Sequence, residues 1–547
     1  MKKNGLFLQD IRILPLLIVL FCFYGASNIM AQQSRYGIFP FEESFLGSTT
    51  APAGVEKAAI ASGVVGMENS ANFTLEGVQL TPNASKKFGA IFLKDQHFTS
   101  ELGIFIEFEY MVYGGTGGDG LCMFLFDAEI ENPTIGANGA GIGYAYNRAY
   151  NGIPQRNFRM PGLSGAYLGV ALDAFGNFKG LRYQGESRVS GIPFSISVSG
   201  SLRAEDNKQN QVSLRGARGP AMGIVGMEVG YTGYPLLKTQ GTYDEVITNP
   251  ITTITMDEAD LSKYKITQEY KGNRFKINGD GKFSGPGDAA YRKAMIELFP
   301  AGANPGGGFY VTVKIQHGAV VDTLIYDYQY KTTTRYQENA TTATGGDSNS
   351  ATDLPLQDPT VNRIVNLNTS VPDSLRIGFA ASTGEKYNFH VIKNVKITLP
   401  RAAEANDDSA KVNQNFSSAT IYPLVNDYGY EGPISRGQVK SPEHINPATF
   451  RFIDENGDPL TNPYTNNDGT WTYNETTEEV TFRRGAGFSD KAEIRYDVYG
   501  NKTTANPYSD PAYRSPHATI GVYVDPDAPV ITRNTIINKM ITTKLNN

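Results

Sequence analysis

The feature that most narrows what this chain can fold into is a recurrence of short apolar runs fenced by glycine. Such runs occupy residues 103–112, 121–127, 167–175, 309–316, 322–328 and 375–381. Their length suits buried strands, and the glycine between them suits tight turns. Glycine supplies 58 of 547 residues while proline is ordinary at 29, so the excess marks turns between many strands rather than collagen-like repeats. With 40% hydrophobic residues there is enough apolar surface for packed cores. The expectation is an all-β chain whose first large unit is a two-sheet sandwich. One segment stands apart: 289–298 (AAYRKAMIEL) is rich in helix formers and reads as a short helix.

The amino terminus reads as an address. Lys2 and Lys3 precede an apolar run at 13–24, and Ile29-Met30-Ala31 ends in the small residue that a signal peptidase prefers. Cleavage near Ala31 would deliver a secreted or bacterial cell-surface protein. The run is shorter than the ~20 apolar residues that span a bilayer, and no later run reaches that length, so no transmembrane segment is expected in the mature chain. Phe21 before Cys22 argues against a lipoprotein signal. Removal of the signal leaves Cys122 as the one thiol, so stability has to come from large cores rather than disulfides. Cys122 sits in an apolar strand and reads as a buried small hydrophobe. Lys+Arg 49 against Asp+Glu 55 gives a net charge of -6, which argues against nucleic acid as a partner.

The sharpest boundary is the polar stretch 400–408 (PRAAEANDD). It divides a unit at 32–400 from one at 401–525, with a tail at 526–547. Within the first unit, 219–287 and 331–371 have weaker periodicity and read as insertions on the sandwich.

Four segments at strand ends carry the chemistry. They are Gly117-Gly118-Asp119-Gly120 entering the 121–126 strand, 139–144 (GAGIGY), 168–177 (LGVALDAFGN) and 375–385 (LRIGFAASTGE). In order and wording they resemble the L-type, legume-lectin family of the concanavalin A-like jelly roll. That resemblance spans 103–399 and implies a carbohydrate site built from Asp119, the Gly139 backbone, Phe175 and Asn177, with Gly384 and Glu385 on the specificity rim. The roles suit the groups: a carboxylate accepts two hydroxyl hydrogen bonds, an amide donates and accepts, and an aromatic face covers C–H surface. The resemblance also implies a calcium ion held by Asp173, Asn177 and the Phe175 carbonyl, since hard oxygen donors suit Ca2+. The sequence departs from the pattern at Ala171, where the family's second-metal Glu would stand, and at Arg182, near the position of a further Asp. Read from the residues alone, Asp173 and Asn177 equally fit a turn in which side chains satisfy local backbone groups.

A glycoside hydrolase on the same scaffold would need two carboxylates across the scissile bond. The glutamates of the retaining E-x-D-x-x-E pattern are missing around Asp173. Glu107 and Glu109 share one face of a strand, but Ile104, Ile106, Phe108 and Tyr110 fill the other, so the pair reads as a solvent-facing surface.

The second unit carries short strand-and-turn segments and resembles the Ig-like and cadherin-like repeats of bacterial surface adhesins. Trp471 reads as a plug between its sheets. Asp407, Asp408 and Asp427 could bind Ca2+ but read first as exposed loop carboxylates. The expected function is therefore non-enzymatic, reversible glycan binding by a surface adhesin, with glycans or glycoconjugates and surface proteins as partners. The alternatives are a structural or matrix adhesin whose jelly roll has lost sugar binding and, third, a jelly-roll glycoside hydrolase.

Overall fold

The structure, a computed structural model, describes residues 39–61, 67–146, 160–179, 209–222, 228–243, 251–256, 264–269, 275–339, 362–431, 434–500 and 513–526. The expected signal segment lies outside the described residues, as does the tail from 527 on. Among the described residues the only helical elements are three short 3-10 turns, so the chain is all-β. Among the described residues no helix is long and apolar enough to cross a membrane. The described residues divide into two compact units, one within Glu43–Val395 and the other formed by Phe39–Glu42 and the described residues from Lys396 on.

The first unit is a jelly-roll sandwich of two antiparallel sheets. One sheet runs Val320–Tyr330, Phe309–His317, Arg292–Pro300, Ile104–Tyr113, Phe389–Thr398, Gly77–Thr81 and Asn72–Thr74. The other runs Tyr264–Glu269, Ile251–Met256, Leu236–Gly241, Gln211–Arg215, Ala166–Asp173, Gly120–Asp127, Ser374–Ser382, Phe88–Leu93 and Val55–Lys57. The late strand Ser374–Ser382 lies between the early strands Phe88–Leu93 and Gly120–Asp127, the crossover that closes a jelly roll. Segment 219–287 adds three edge strands to this sheet, Leu236–Gly241, Ile251–Met256 and Tyr264–Glu269. Segment 331–371 contributes the hairpin of Thr333–Asn339 with Asn362–Asn368.

The continuous apolar runs have a physical cause: the central strands are covered on both faces. Phe379 points at the opposite sheet and meets Phe108 edge to face, 5.0 Å between ring centroids. On the other face Cys122, Phe124 and Phe126 join a core of loop residues that includes Ile142, Tyr144, Phe178 and Tyr234. Gly378 admits the Phe124 ring there, since a Cβ would stand 2.3 Å from it. Cys122 is fully buried, and desolvation pushes its thiol well up, as a structural cysteine requires.

The helix expected at 289–298 is instead a strand, Arg292–Pro300. Ala294, Ile296 and Leu298 are buried at a spacing of two, and Ile296 and Leu298 pair with Ile106 and Ile104. Burial between two strands outweighs the helical preference of Ala, Lys, Met, Glu and Leu, a tertiary override of local propensity.

The second unit is a smaller sandwich. Four strands, Asp408–Val412, Ala518–Val524, Lys491–Gly500 and Ile445–Ile453, face Ser418–Ile421, Glu479–Arg484, Gly469–Asn474 and Tyr464–Thr465 across one apolar core. Its first strand runs parallel to its last. Asp427, expected to be exposed, is fully buried. Its carboxylate accepts from the Asn406 N–H (2.7 Å) and the Tyr496 hydroxyl (2.9 Å), and that hydroxyl also lies 3.3 Å from Asp408. Desolvation raises both carboxyls, Asp427 to about 7 and Asp408, with the Asp427 charge adding to it, to about 8. Both values stand above the unfolded carboxyl range, so between about pH 4 and pH 8 the folded unit holds protons that the unfolded chain has released. Its stability should therefore fall as pH rises through that window, by about 1.4 kcal/mol per pH unit for each extra proton held. Thermal melts of the full chain should show the second unit's transition at a higher temperature at pH 5 than at pH 8. A transition that is flat or rises over that span would contradict the desolvation of this pair.

Candidate functional site

Three antiparallel strands bring the sequence-nominated segments to one end of the sheet. Gly120 pairs with Ser382 and Leu121 with Leu172, so the start of Gly120–Asp127 lies beside the ends of Ala166–Asp173 and Ser374–Ser382. Asp119 is stitched on both sides: its N–H donates to the Ser382 carbonyl (2.9 Å), and its own carbonyl accepts from the Phe175 N–H (2.8 Å). Gly384 comes close enough that a Cβ would stand 3.4 Å from Asp119 Oδ1. Gly139 opens the 3-10 turn Gly139–Gly141 with φ at 60°, and its N–H donates to Ser382 Oγ at 2.7 Å. Asp119, Gly139, Phe175 and Gly384 therefore belong to one loop cluster, joined through Ser382, a residue that sequence reasoning did not single out. Phe175 is half-buried, Gly384 is half-buried and Glu385 is exposed on the rim.

The polar groups here are not spent on one another. Asp119 is 5% exposed, and its Oδ2 is buried without a hydrogen-bond partner among the described residues. Asn177 is 8% exposed, and its Oδ1 is in the same condition. Buried acceptors are ordinarily paired; these two are among eleven buried side-chain nitrogen or oxygen atoms without a partner among the described residues, and they stand on neighbouring loops of the cluster. Desolvation, with the nearby charge of Asp173, raises the Asp119 carboxyl to about 8.

Asp173 is different. It is fully buried, and each carboxylate oxygen is taken by a backbone donor, Oδ1 by the Gly176 N–H and Oδ2 by the Phe178 N–H, both at 2.7 Å. Desolvation raises its carboxyl to about 6, while the Lys179 charge and the backbone donors draw it down. Lys179 is 1% exposed, and its ammonium donates to the Gly176 carbonyl at 2.7 Å. Beneath the turn, the fully buried Arg215 donates to the Phe178 carbonyl from Nε (3.1 Å) and Nη2 (2.6 Å), and to the Tyr234 carbonyl from Nη1 (2.7 Å). The residues as folded do not fit a calcium ion: the Asp173 oxygens already accept from N–H groups, and an ammonium occupies the same turn. Among the described residues no group of three His, Cys, Asp or Glu side chains is placed to hold a metal.

The carboxylates Glu107 and Glu109 lie on Ile104–Tyr113, in the other sheet, on a strand that is not part of this cluster. Glu107 pairs with Lys293 at 3.4 Å, and Glu109 pairs with Lys393 at 3.7 Å while accepting from Tyr291 Oη (3.0 Å) and Asn394 Nδ2 (3.1 Å). Both are engaged in surface ion pairs and hydrogen bonds.

No family model matches this chain, and no curated protein matches it. Solved structures do. The exoplasmic/lumenal domain of VIP36 in its Ca2+/Man3GlcNAc-bound form is 12% identical, with 61% of this chain and 82% of that one covered and a TM-score of 0.26. The lectin from Bauhinia forficata in complex with GalNAc is 11% identical, covering 66% and 97%, TM-score 0.26. The lectin UEA-II complexed with galactose is 9% identical, covering 66% and 98%, TM-score 0.28. The jelly roll described above is read from its own strand order and pairings and does not lean on these likenesses.

Proposed function

We propose that this chain is an exported, cell-surface carbohydrate-binding protein. Its jelly roll binds a glycan reversibly at the loops bearing Asp119, Phe175, Asn177 and Gly384, and its second sandwich, an Ig-like module, presents that site for adhesion. The observation that carries this reading is the pair of buried, unpartnered acceptors, Asp119 Oδ2 and Asn177 Oδ1. A vicinal pair of sugar hydroxyls supplies the donors that these oxygens lack, and half-buried Phe175 offers a ring for the apolar C–H face. Catalysis is less well supported, because a hydrolase needs a second free carboxyl and Asp173 has both oxygens held by backbone N–H groups.

One observation favours the alternative of a structural or matrix adhesin with protein partners: the Gly139 N–H, expected to face a sugar, is held by Ser382 Oγ. A glycan array probed with the full mature chain, with and without EDTA, separates the two readings. Binding to a restricted set of glycans is expected, unchanged by the chelator. A correctly folded chain that binds no glycan would remove the lectin reading and leave the structural one.

A further inference from the structure

The loop 173–179 contains more buried charge than a plain turn needs. Asp173, Lys179 and Arg215 are each at most 1% exposed, and all three bond to backbone of the same seven-residue stretch. Asp173 gathers the Gly176 and Phe178 N–H groups from the inside. Lys179 folds back over the turn to the Gly176 carbonyl, so the peptide unit on each side of that glycine is tied by an ionised group. Arg215 arrives from the neighbouring strand Gln211–Arg215, clamps the Phe178 carbonyl with two nitrogens and lies 5.0 Å from the centroid of the Phe178 ring. A buried carboxylate is tolerated only with compensating charge and hydrogen bonds, and both are supplied here by side chains of the chain itself.

We propose that Lys179 and Arg215 are built-in cations that do the work a divalent ion would do at this turn, so that the loop carrying Phe175 and Asn177 is fixed without calcium. Lys179 is in this sense a positioning residue: it touches no ligand but fixes the turn from which Asn177 and Phe175 project. The local electrostatics support the substitution: both Asp173 oxygens accept from backbone N–H groups, the Lys179 ammonium acts on the same carboxylate, and an added dication would be repelled by that ammonium. The proposal does not rest on the glycan reading, because its consequences are read in the unliganded protein.

Three measurements on the full mature chain test it. Calorimetric titration with calcium chloride should give no binding heat, and the jelly roll's Tm should be equal in excess calcium and in excess EDTA. A calcium heat, or a calcium-dependent Tm, would overturn the proposal. Lys179→Met keeps the stem and removes the cation. It should lower the jelly roll's Tm by roughly 5–10 °C, and hydrogen exchange should accelerate at the Gly176 and Phe178 amides while Ile106, on the other sheet, keeps its protection. Exchange unchanged at those two amides, or raised equally at Ile106, would show that Lys179 does not position the turn. Lys179→Arg, which keeps a cation, should retain wild-type protection. If Lys179→Met fails to fold, loss of protection in Lys179→Arg would overturn the proposal, as would calcium binding by the wild type.

Discussion

Replacing Asp119 with Ala or Asn should lower affinity for the best array glycan, measured above about pH 8, by about 100-fold, while the jelly roll's melting temperature stays the same or rises. The two halves of this expectation come from different features of the same side chain. Two sugar hydroxyls donating to the carboxyl favour its ionised form, and a hydrogen bond to a charged group is worth about 1.5–3 kcal/mol, so above about pH 8, where no proton has to be displaced, the pair carries about two decades of affinity. In the free protein the same carboxyl does little for stability. Its Oδ2 has no partner among the described residues, and desolvation with the Asp173 charge has raised it to about 8. A group whose burial is uncompensated is a cost to the fold, and removing it leaves no donor stranded. Asn at this position keeps the shape and cannot ionise. Isothermal titration with the glycan, paired with a thermal melt of the same sample, reads both effects. Retained affinity would show that the carbohydrate site lies elsewhere. Lost affinity with a collapsed melt would show that Asp119 is a structural residue.

Most of the jelly roll was legible because its strands declare themselves in composition. A strand covered on both faces must be apolar throughout, and 121–126 and 377–381 are, with glycine or small residues where rings lie on the sheet. The loop cluster was legible in part. Asp119, Phe175 and Gly384 converge because the turns that hold them follow directly on paired strands, so their order along the chain fixes their place in space. What was not legible depends on contacts distant in sequence. Ser382 joins Gly139 to the site across 243 residues, and Arg215 reaches Phe178 across 37. No spacing rule links such pairs. Lys179 was within reach of sequence reading, two residues after Asn177, but a lysine two residues past a turn is ordinarily a solvated charge, and its burial follows only from the packing around it. The strand at Arg292–Pro300 misled for the opposite reason: most of its residues up to Leu298 favour a helix, while its alternation of buried and half-buried side chains becomes visible only beside Ile104–Tyr113.

Trp471→Ala should unfold the second sandwich selectively. Trp471 is fully buried in a core that joins both four-stranded sheets, and its ring centroid lies 4.4 Å from that of Phe482 on the adjacent strand. Truncating such a side chain to Ala costs about 3–5 kcal/mol, from lost transfer energy and from the cavity left behind. Against a domain stability of about 5–15 kcal/mol that is a large fraction, and the second unit's calorimetric transition should drop by roughly 10–20 °C or vanish. The jelly roll has its own core, centred on Cys122, Phe124, Tyr144 and Ala380, and its transition and glycan affinity should be unchanged. Trp471→Phe refines the expectation. The indole Nε1 is buried without a hydrogen-bond partner among the described residues, so exchanging the indole for a phenyl ring loses contact area but also removes an unsatisfied donor. Its melt should therefore fall well short of the Ala variant's loss. If Trp471 were instead a platform for sugar, Ala would abolish glycan binding with the second transition intact, and the two observables together leave no overlap between the roles.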